Sequence, residues 1–295
     1  MNSNNMGTFY CLGEVLWDIF PDTKRAGGAP FNVGFHLHQF GVRVAVHSAL
    51  GNDPLGNELR EHIRKSGLST ANIYLRNKST GTVLVNTSNK HEVSYSITED
   101  CAWDYLEPPT HKIDVNDTLV FGSLAMRAAH NRSILESWLQ TPAFKAFDMN
   151  LRWPFVDDDW IKNTLAKVNL LKVNEEELTY TKDLFGITGD AQDCFSFLHK
   201  NMGIAHLIVT RGSRGSLWLS ANGRVESARY SVDVVDTVGA GDAFLAGLLH
   251  GLQTNKSAQH TLDTAAALGA FVASNAGATP IWSTEVLEQF ILNQR

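Results

Sequence analysis

Residues 236–244 read Asp-Thr-Val-Gly-Ala-Gly-Asp-Ala-Phe and lead into a predicted apolar helix over residues 241–251. Two glycines separated by one alanine let backbone N–H groups converge, and the N-terminus of a helix adds a partial positive charge. Gly239, Ala240 and Gly241 therefore predict an anion hole for a phosphoryl group in transfer. Asp242, in the first helical turn, is placed to accept the proton of an attacking alcohol. Taken alone, this segment fits a glycine-rich turn with an acidic cap equally well.

A second glycine-rich segment, residues 27–34, reads Gly-Gly-Ala-Pro-Phe-Asn-Val-Gly. Gly27 and Gly28 permit a close approach of backbone to a ligand, and Pro30 suits the first turn of a helix. Asn32 offers both a donor and an acceptor, which fits a polyhydroxylated sugar. By itself, the segment is explained more simply as a tight turn with a capping asparagine.

An acidic cluster, Asn174 to Glu177, follows a predicted strand over residues 170–173. Oxygen atoms of Asn and Glu suit Mg²⁺, usually through waters that the ion retains. Asn174 and Glu177 are the candidate ligands, whereas Glu175 and Glu176 are interpreted as a solvated first turn of a helix.

Two further polar segments also follow predicted strands. Thr210, Gly212 and Gly215 come after a strand that ends at Val209, and their hydroxyl and backbone groups predict a loop for nucleotide phosphates. Arg152 closes a segment that begins at Asp148, and its guanidinium is suited either to a phosphoryl group or to a nearby carboxylate.

Strands and helices alternate along most of the chain, which predicts an α/β fold with a mostly parallel central sheet and helices on both faces. Ligands bind such sheets at the carboxyl ends of the strands, where these polar segments lie. Residues 8–20 predict one buried strand that continues past Gly13, followed by a polar turn over residues 21–25. Residues 80–98 instead predict a β-hairpin with its turn at residues 88–91, and hence a small β lid.

The composition excludes several classes of protein. The 295 residues carry a net charge of −6, so no general basic excess suggests nucleic acid or an anionic membrane surface. Cys11, Cys101 and Cys194 are odd in number and far apart, which favours a reducing compartment over a disulfide framework. Neither a secretory signal nor an 18-residue apolar run is found, and a cytoplasmic protein is expected.

In combination and in this order, the segments resemble the ribokinase-like carbohydrate kinases, the PfkB family. One family signature matches residues 27–34 and continues into residues 51–56, and the other matches residues 236–244. Within the family, residues 27–34 and the segment Asp-Met-Asn-Leu-Arg at residues 148–152 are most similar to fructokinases. Phe31, Gly34 and Met149 depart from the usual pattern, which leaves the identity of the sugar open.

The resemblance implies one ribokinase-like domain over residues 1–295, with a lid built from about residues 14–25 and 80–98. It implies ATP and Mg²⁺ as cofactors, a K⁺ ion beside the anion hole, and no nucleic-acid or membrane partner. An exposed lid sheet would offer a pairing surface for a homodimer. The implied site residues are Asp242 as the base; Asp18, Gly27, Gly28, Asn32 and Arg152 at the sugar; Asn174, Thr210, Gly212 and Gly215 at ATP; Glu177 with Asn174 at Mg²⁺; and Asp236, Val238, Asn275 and Gly277 at K⁺.

The predicted reaction is transfer of the γ-phosphoryl group of MgATP to a sugar hydroxyl, with D-fructose as the expected acceptor. Ribose, 2-keto-3-deoxygluconate and a nucleoside remain alternative acceptors, and a non-catalytic sugar sensor remains an alternative of another class. A nucleotide-dependent oxidoreductase is disfavoured because the first strand is not followed by G-x-G-x-x-G, and no G-x-x-x-x-G-K-[ST] of a P-loop enzyme occurs.

Overall fold

The computed structural model describes residues 7–89, 92–110 and 112–294. The strands and helices in these ranges follow one another in the order β1 (Phe9–Leu12), β2 (Leu16–Ile19), β3 (Lys24–Gly27), α1 (Ala29–Gln39), β4 (Val44–Gly51), α2 (Pro54–Lys65), β5 (Ile73–Arg76), β6 (Thr82–Asn89), β7 (Glu92–Ile97), β8 (Thr118–Gly122), α3 (Ala129–Leu139), β9 (Phe144–Asp148), α4 (Asp158–Leu165), β10 (Leu170–Asn174), α5 (Glu175–Phe185), α6 (Ala191–Met202), β11 (His206–Thr210), β12 (Ser216–Ser220), β13 (Gly223–Glu226), α7 (Ala240–Gln253), α8 (Ala258–Ala273) and α9 (Thr284–Asn293).

The main sheet of the described residues has nine strands in the order β13-β12-β11-β10-β9-β8-β1-β4-β5. The seven strands from β11 to β5 pair in parallel, and β12 and β13 continue the sheet in antiparallel pairing. All carboxyl ends of the parallel strands therefore meet at one edge of the sheet. The predicted mostly parallel α/β fold is confirmed.

Both faces of the main sheet are covered by helices because successive side chains of a strand point to opposite faces. On β1, Phe9 and Cys11 pack into an apolar cluster with α1, α7 and α8. Tyr10 and Leu12 face the other way and pack with α3, α4 and α6. This double burial explains why the strand reads as a continuous apolar run.

The smaller sheet contains the segments predicted as the lid, and its four described strands lie in the order β3-β2-β6-β7. Pairing is antiparallel between β2 and β3 and between β6 and β7, but parallel between β2 and β6. Asp18 lies directly opposite Arg25 in the register of β2 and β3. Trp17 ties the lid to α2 by donating from Nε1 to the carbonyl oxygen of Leu55 at 3.0 Å.

Two details of the predicted N-terminal region are wrong. Residues 8–20 are not one strand, because the chain leaves the main sheet after Leu12 and enters the lid at Leu16. Gly13 makes this break with φ = +146°, a conformation that side chains rarely allow. The predicted polar turn contains part of the lid strand β3. The turn predicted at residues 88–91 includes Lys90 and His91, which lie outside the described residues.

No helix in the described ranges is both long enough and apolar enough to cross a membrane. Cys11, Cys101 and Cys194 are buried and unpaired, in agreement with the absence of a disulfide framework.

Candidate active site

The first and seventh helices bring Asn32 and Asp242 together at the carboxyl edge of the main sheet. Nδ2 of Asn32 donates a hydrogen bond to Oδ2 of Asp242 at 2.8 Å. Each helix starts at a glycine with positive φ, Gly28 at +111° and Gly239 at +79°. A Cβ atom at Gly28 would lie 2.3 Å from the carbonyl oxygen of Glu14, and one at Gly239 would lie 2.5 Å from Cβ of Ala278. The two glycines are therefore required for the helix termini to approach their neighbours.

Asp242 is a carboxylate whose affinity for a proton is raised by its surroundings. Burial, and then the negative charge of Asp148, raise its pKa to about 6, against the opposing effects of Asn32, Lys172 and Arg152. At neutral pH the carboxylate is ionised, yet it is a stronger base than an exposed aspartate. These are the properties that a general base for a hydroxyl group requires.

A buried ion pair lies beside the start of α7. Nζ of Lys172 on β10 contacts the two carboxylate oxygens of Asp148 on β9 at 2.8 and 2.9 Å. Burial lowers the pKa of Lys172, but the charge and hydrogen bonds of Asp148 outweigh it, so that the pKa is raised overall. A Cβ atom at Gly241 would lie 3.4 Å from this ammonium group. A fixed positive charge thus accompanies the backbone N–H groups of the helix terminus.

Acidic side chains from the lid side of the site face the same region. Burial raises the pKa of Asp18 to about 6, and the charge of Arg152 opposes this shift. Burial also raises the pKa of Glu14 to about 7, again against Arg152. Gly27 leaves the space that Asp18 needs, because a Cβ atom there would lie 2.4 Å from Oδ2 of Asp18.

Two buried acceptor atoms near these carboxylates have no hydrogen-bond partner within the described part of the chain. They are Oε2 of Glu14 and Oδ1 of Asn32. Buried acceptors in native proteins are nearly always satisfied, so unpaired ones at a site of this kind indicate where ligand hydroxyl groups or waters bind. Their neighbours, Asp18 and Asp242, add further acceptors for a polyhydroxylated molecule.

A cavity of about 370 Å³ borders the start of α7. Ala240 and Gly241 line it, and so does the loop that contains Gly212. The remaining wall is mainly apolar and comes from the segment before α7 and from small residues of α8. Its residues include Tyr230, Val232, Val234, Phe244, Ala266, Gly269, Ala270 and Ala273. A flat apolar group such as a nucleobase fits such a wall, with anionic groups at the helix terminus.

Comparison with known proteins decides the family. The pfkB family carbohydrate kinase model matches residues 13–285. The chain belongs to this family.

Similar proteins agree with this assignment. The kinase is 27% identical to "Probable fructokinase-3" of Arabidopsis thaliana, over 97% of this chain and 91% of the plant protein. It is 28% identical to "Fructokinase" of Salmonella typhimurium, over 91% of this chain and 94% of that protein. The crystal structure of fructokinase from Xylella fastidiosa with bound ATP superposes with a TM-score of 0.87, at 24% identity, over 97% of this chain and 98% of that one.

The predicted site residues of the kinase fall into groups that the fold brings together. Asn32 contacts Asp242, while Gly27, Gly28 and Asp18 lie at the junction of the lid and α1. Thr210, Gly212 and Gly215 all border the nucleotide-sized cavity, together with Ala240 and Gly241. Arg152 is exposed at the edge of the site. Its charge partly offsets the rise that burial causes in the pKa values of Glu14, Asp18 and Asp242.

Asn174 and Glu177 form a reciprocal cap at the start of α5. Oδ1 of Asn174 accepts from the backbone N–H of Glu177, and Oε2 of Glu177 accepts from the backbone N–H of Asn174, both at 2.9 Å. Burial, and then the charge of Asp148, raise the pKa of Glu177. A divalent cation nearby would relieve this repulsion, and the oxygen donors suit Mg²⁺. Among the described residues, no group of three or more His, Cys, Asp or Glu side chains is placed to hold a metal ion directly.

Asp236, the one carboxylate among the residues predicted for K⁺, already has polar partners on both oxygens. Oδ2 of Asp236 accepts from Nη1 of Arg25 at 2.6 Å and from the backbone N–H of Gly277 at 3.1 Å. Oδ1 of Asp236 accepts from the backbone N–H of Val238 at 3.0 Å. The side-chain nitrogen of Asn275 donates to the carbonyl oxygen of Phe271. The carboxylate in this set is already paired with a cation of the chain itself.

The sequence analysis missed three groups of site residues. Lys172 stands as a lone charge in the apolar strand β10, which was a readable signal of a buried pair. The small residues Ala266, Ala270 and Ala273 recur at helical spacing on α8 and form one wall of the nucleotide-sized cavity. Glu14 gave no comparable signal, because a single acid near a strand end is common on protein surfaces.

Proposed function

We propose that the kinase transfers the γ-phosphoryl group of MgATP to a hydroxyl group of D-fructose, with Asp242 as the general base. The observation that carries this proposal is that one helix terminus serves both sides of the site. Ala240 and Gly241 border the nucleotide-sized cavity, and Asp242, the next residue, contacts Asn32 on the sugar side. The proposed base and the proposed anion-binding backbone are thereby adjacent in the chain.

The proposed step is an in-line displacement. Asp242 accepts the proton of the sugar hydroxyl, the hydroxyl oxygen bonds to the γ-phosphorus, and the bond from phosphorus to the bridging oxygen breaks to release ADP. Backbone N–H groups at Gly239, Ala240 and Gly241 stabilise the charge on the transferring group, and Lys172 adds a nearby positive charge. The lid sheet would exclude water and so limit hydrolysis of ATP.

The remaining residues bind and orient. Asp18, Gly27, Gly28, Asn32 and Arg152 form the proposed sugar side, and Thr210, Gly212, Gly215 and Asn174 form the ATP side. Mg²⁺ would be held by Asn174 and Glu177 through waters, where it would neutralise phosphate charge. We also propose that the chain acts as one kinase domain in the cytoplasm. The lid is further proposed to pair with the lid of a second copy, and light scattering would test this dimer.

Fructose is proposed because relatives named fructokinase occur in plants and bacteria, among them proteins of Arabidopsis thaliana and Rhizobium leguminosarum bv. trifolii. Solved neighbours include a fructokinase from Vibrio cholerae with fructose, ADP and potassium ion, and a kinase for aminoimidazole riboside from Salmonella enterica. These neighbours share the fold, so a nucleoside belongs in the same test as the sugars.

The test measures ADP release from MgATP with D-fructose, ribose, 2-keto-3-deoxygluconate and a nucleoside, and identifies the phosphorylated product by mass. Fructose-dependent release is expected from the native chain. Asp159→Asn is the control matched to Asp242→Asn, because Asp159 is also an acid in the first turn of a helix but is exposed and has no proposed role in binding or transfer. Strong release with another acceptor and none with fructose would reject fructose, and silence with every acceptor would reject the kinase reaction for this panel.

A further inference from the structure

Three parts of the molecule meet at the carboxylate of Asp236. Val238 belongs to the turn that precedes the anion hole, Gly277 belongs to the loop after α8, and Arg25 belongs to the lid strand β3. A Cβ atom at Gly239 would lie within 2.8 Å of three atoms of Ala278, so the two loops are in close contact. Ala278 is itself held to α1, because Nε2 of His36 donates a hydrogen bond to its carbonyl oxygen at 2.9 Å. Asp236 therefore sits at a rigid junction beside the anion hole.

A negative charge at this junction opposes the proposed chemistry. An uncompensated carboxylate close to an anion hole repels the transferring phosphoryl group and any neighbouring acid. The charge of Asp236 already has this effect on Asp18, whose pKa it raises, and the charge of Arg25 acts in the opposite direction. Arg25 thus faces two carboxylates, Asp18 across the strand pair and Asp236 across the lid boundary.

The side chain of Arg25 is 41% exposed, yet it contacts three neighbours. Its Nη1 atom contacts Oδ2 of Asp236 at 2.6 Å, and its Cζ atom lies 5.2 Å from the centre of the Phe20 ring. Its Cδ atom would be 3.7 Å from a Cβ atom at Gly277, so the aliphatic part of the side chain lies along that loop. A guanidinium, permanently charged and with a planar set of donors, suits this position.

We propose that Arg25 supplies, from the lid, the positive charge that balances Asp236 beside the anion hole, so that the kinase works without a monovalent metal ion. The expected effect of Arg25 on the rate rests on the proposed phosphoryl transfer, whereas its expected effect on ion binding does not. It also makes charge balance at the anion hole depend on a closed lid, because Arg25 is part of β3.

The variants for the test are Arg25→Ala and Arg25→Gln, with Lys24→Ala as the control. Lys24 is the neighbouring residue of β3, but its ion-pair partner is Glu58 of α2 rather than Asp236. Arg25 borders a cavity of about 450 Å³ between the lid, α2 and residues 276–279. Truncation at Arg25 therefore opens space for an ion next to Asp236, and the glutamine variant removes the charge while retaining most of the side chain.

The first readout is the thermal unfolding midpoint, measured in KCl and in tetramethylammonium chloride at equal ionic strength. The native chain and Lys24→Ala are expected to have the same midpoint in both salts. The two Arg25 variants are expected to show a saturable rise with K⁺, because K⁺ then binds at Asp236. A saturable rise for the native chain, or none for either Arg25 variant, would overturn the proposal.

The second readout is the rate of sugar-dependent ADP release in the same two salts. Exchange of the salt should change the native rate by less than about twofold, whereas Arg25→Ala should lose at least about tenfold in tetramethylammonium and recover in K⁺. A native rate that requires K⁺ would contradict the proposal. If no variant releases ADP with any acceptor, the proposed reaction fails, and the unfolding midpoints still decide whether Arg25 replaces the ion.

Discussion

Lys172 Nζ lies within 2.9 Å of both carboxylate oxygens of Asp148, in a place where both side chains are almost completely buried. Removal of one partner leaves the other charge buried and unpaired, which costs far more than the pair contributes. Lys172→Met should therefore lower the free energy of unfolding by about 3–5 kcal/mol. Denaturant unfolding measures this loss.

The double variant Asp148→Leu with Lys172→Met serves as the control for that prediction. Replacement of both charges by apolar groups should recover most of the lost stability, since no charge is then left unpaired. It should not recover activity, because the positive charge beside Gly241 is still missing. Full activity in the stable double variant would show that Lys172 has no part in phosphoryl transfer.

Asp242→Asn should lower kcat by about 10²–10⁴-fold, because an amide cannot accept the proton of the hydroxyl group. The same substitution should raise the stability of the fold at neutral and alkaline pH. Since the pKa of Asp242 is raised to about 6 in the folded state, ionisation costs stability as the pH rises from about 4 through 6. The asparagine variant avoids this cost, so its melting temperature at pH 8 should equal or exceed that of the native chain, with a smaller difference at pH 4.

The acid limb of the kcat/KM profile should report the same carboxylate, because this profile reflects the ionisation of the free enzyme. The rate should rise with pH through about 6 and then level off, because the base must be ionised to act. Arg152 lowers the pKa of Asp242, so Arg152→Gln should move this limb to higher pH. Arg60→Gln, on the exposed surface of α2, should leave the limb in place. If the acid limb does not move in Arg152→Gln, the charge of Arg152 does not influence the base.

Gly27→Ala should raise KM for the sugar by about tenfold, because the added methyl group displaces the carboxylate of Asp18. Asp18→Ala should raise KM at least as much. Since both changes act on one carboxylate, Gly27→Ala should add little in the Asp18→Ala background, and the double-mutant cycle measures this coupling. Additive effects would mean that Gly27 acts on the sugar independently of Asp18.

The sequence predicted the parts of the fold that local pattern determines. Alternating apolar runs and helical spacing located most strands of the main sheet, and the two glycine-rich segments marked the starts of α1 and α7. The strand break at Gly13 was missed because an apolar run looks the same whether or not its second half belongs to another sheet. Helices α5 and α9 and strand β5 were not delimited.

The sequence predicted site residues where a chemically suitable side chain lies close to glycines that begin a helix. Asp242 and Asn32 were found because each lies a few residues after a glycine that begins a helix. The pairing of Arg25 with Asp236 was not predictable, because the two residues meet only after the lid has folded over the loop, and an arginine at the end of a polar turn carries no mark of its partner. Geometry between distant segments was the missing information.

The contact between Asn32 and Asp242 joins positions 210 residues apart, and the contact between Arg25 and Asp236 joins positions 211 apart. Such separations have a consequence for biosynthesis. A nascent chain that has emerged from the ribosome only as far as β13 holds the whole lid and α1, but not the carboxylate that completes the site. The apolar surface that α7 covers in the folded protein is then exposed, so chaperones are expected to bind this intermediate. Competence to react therefore arises only after α7 has been synthesised.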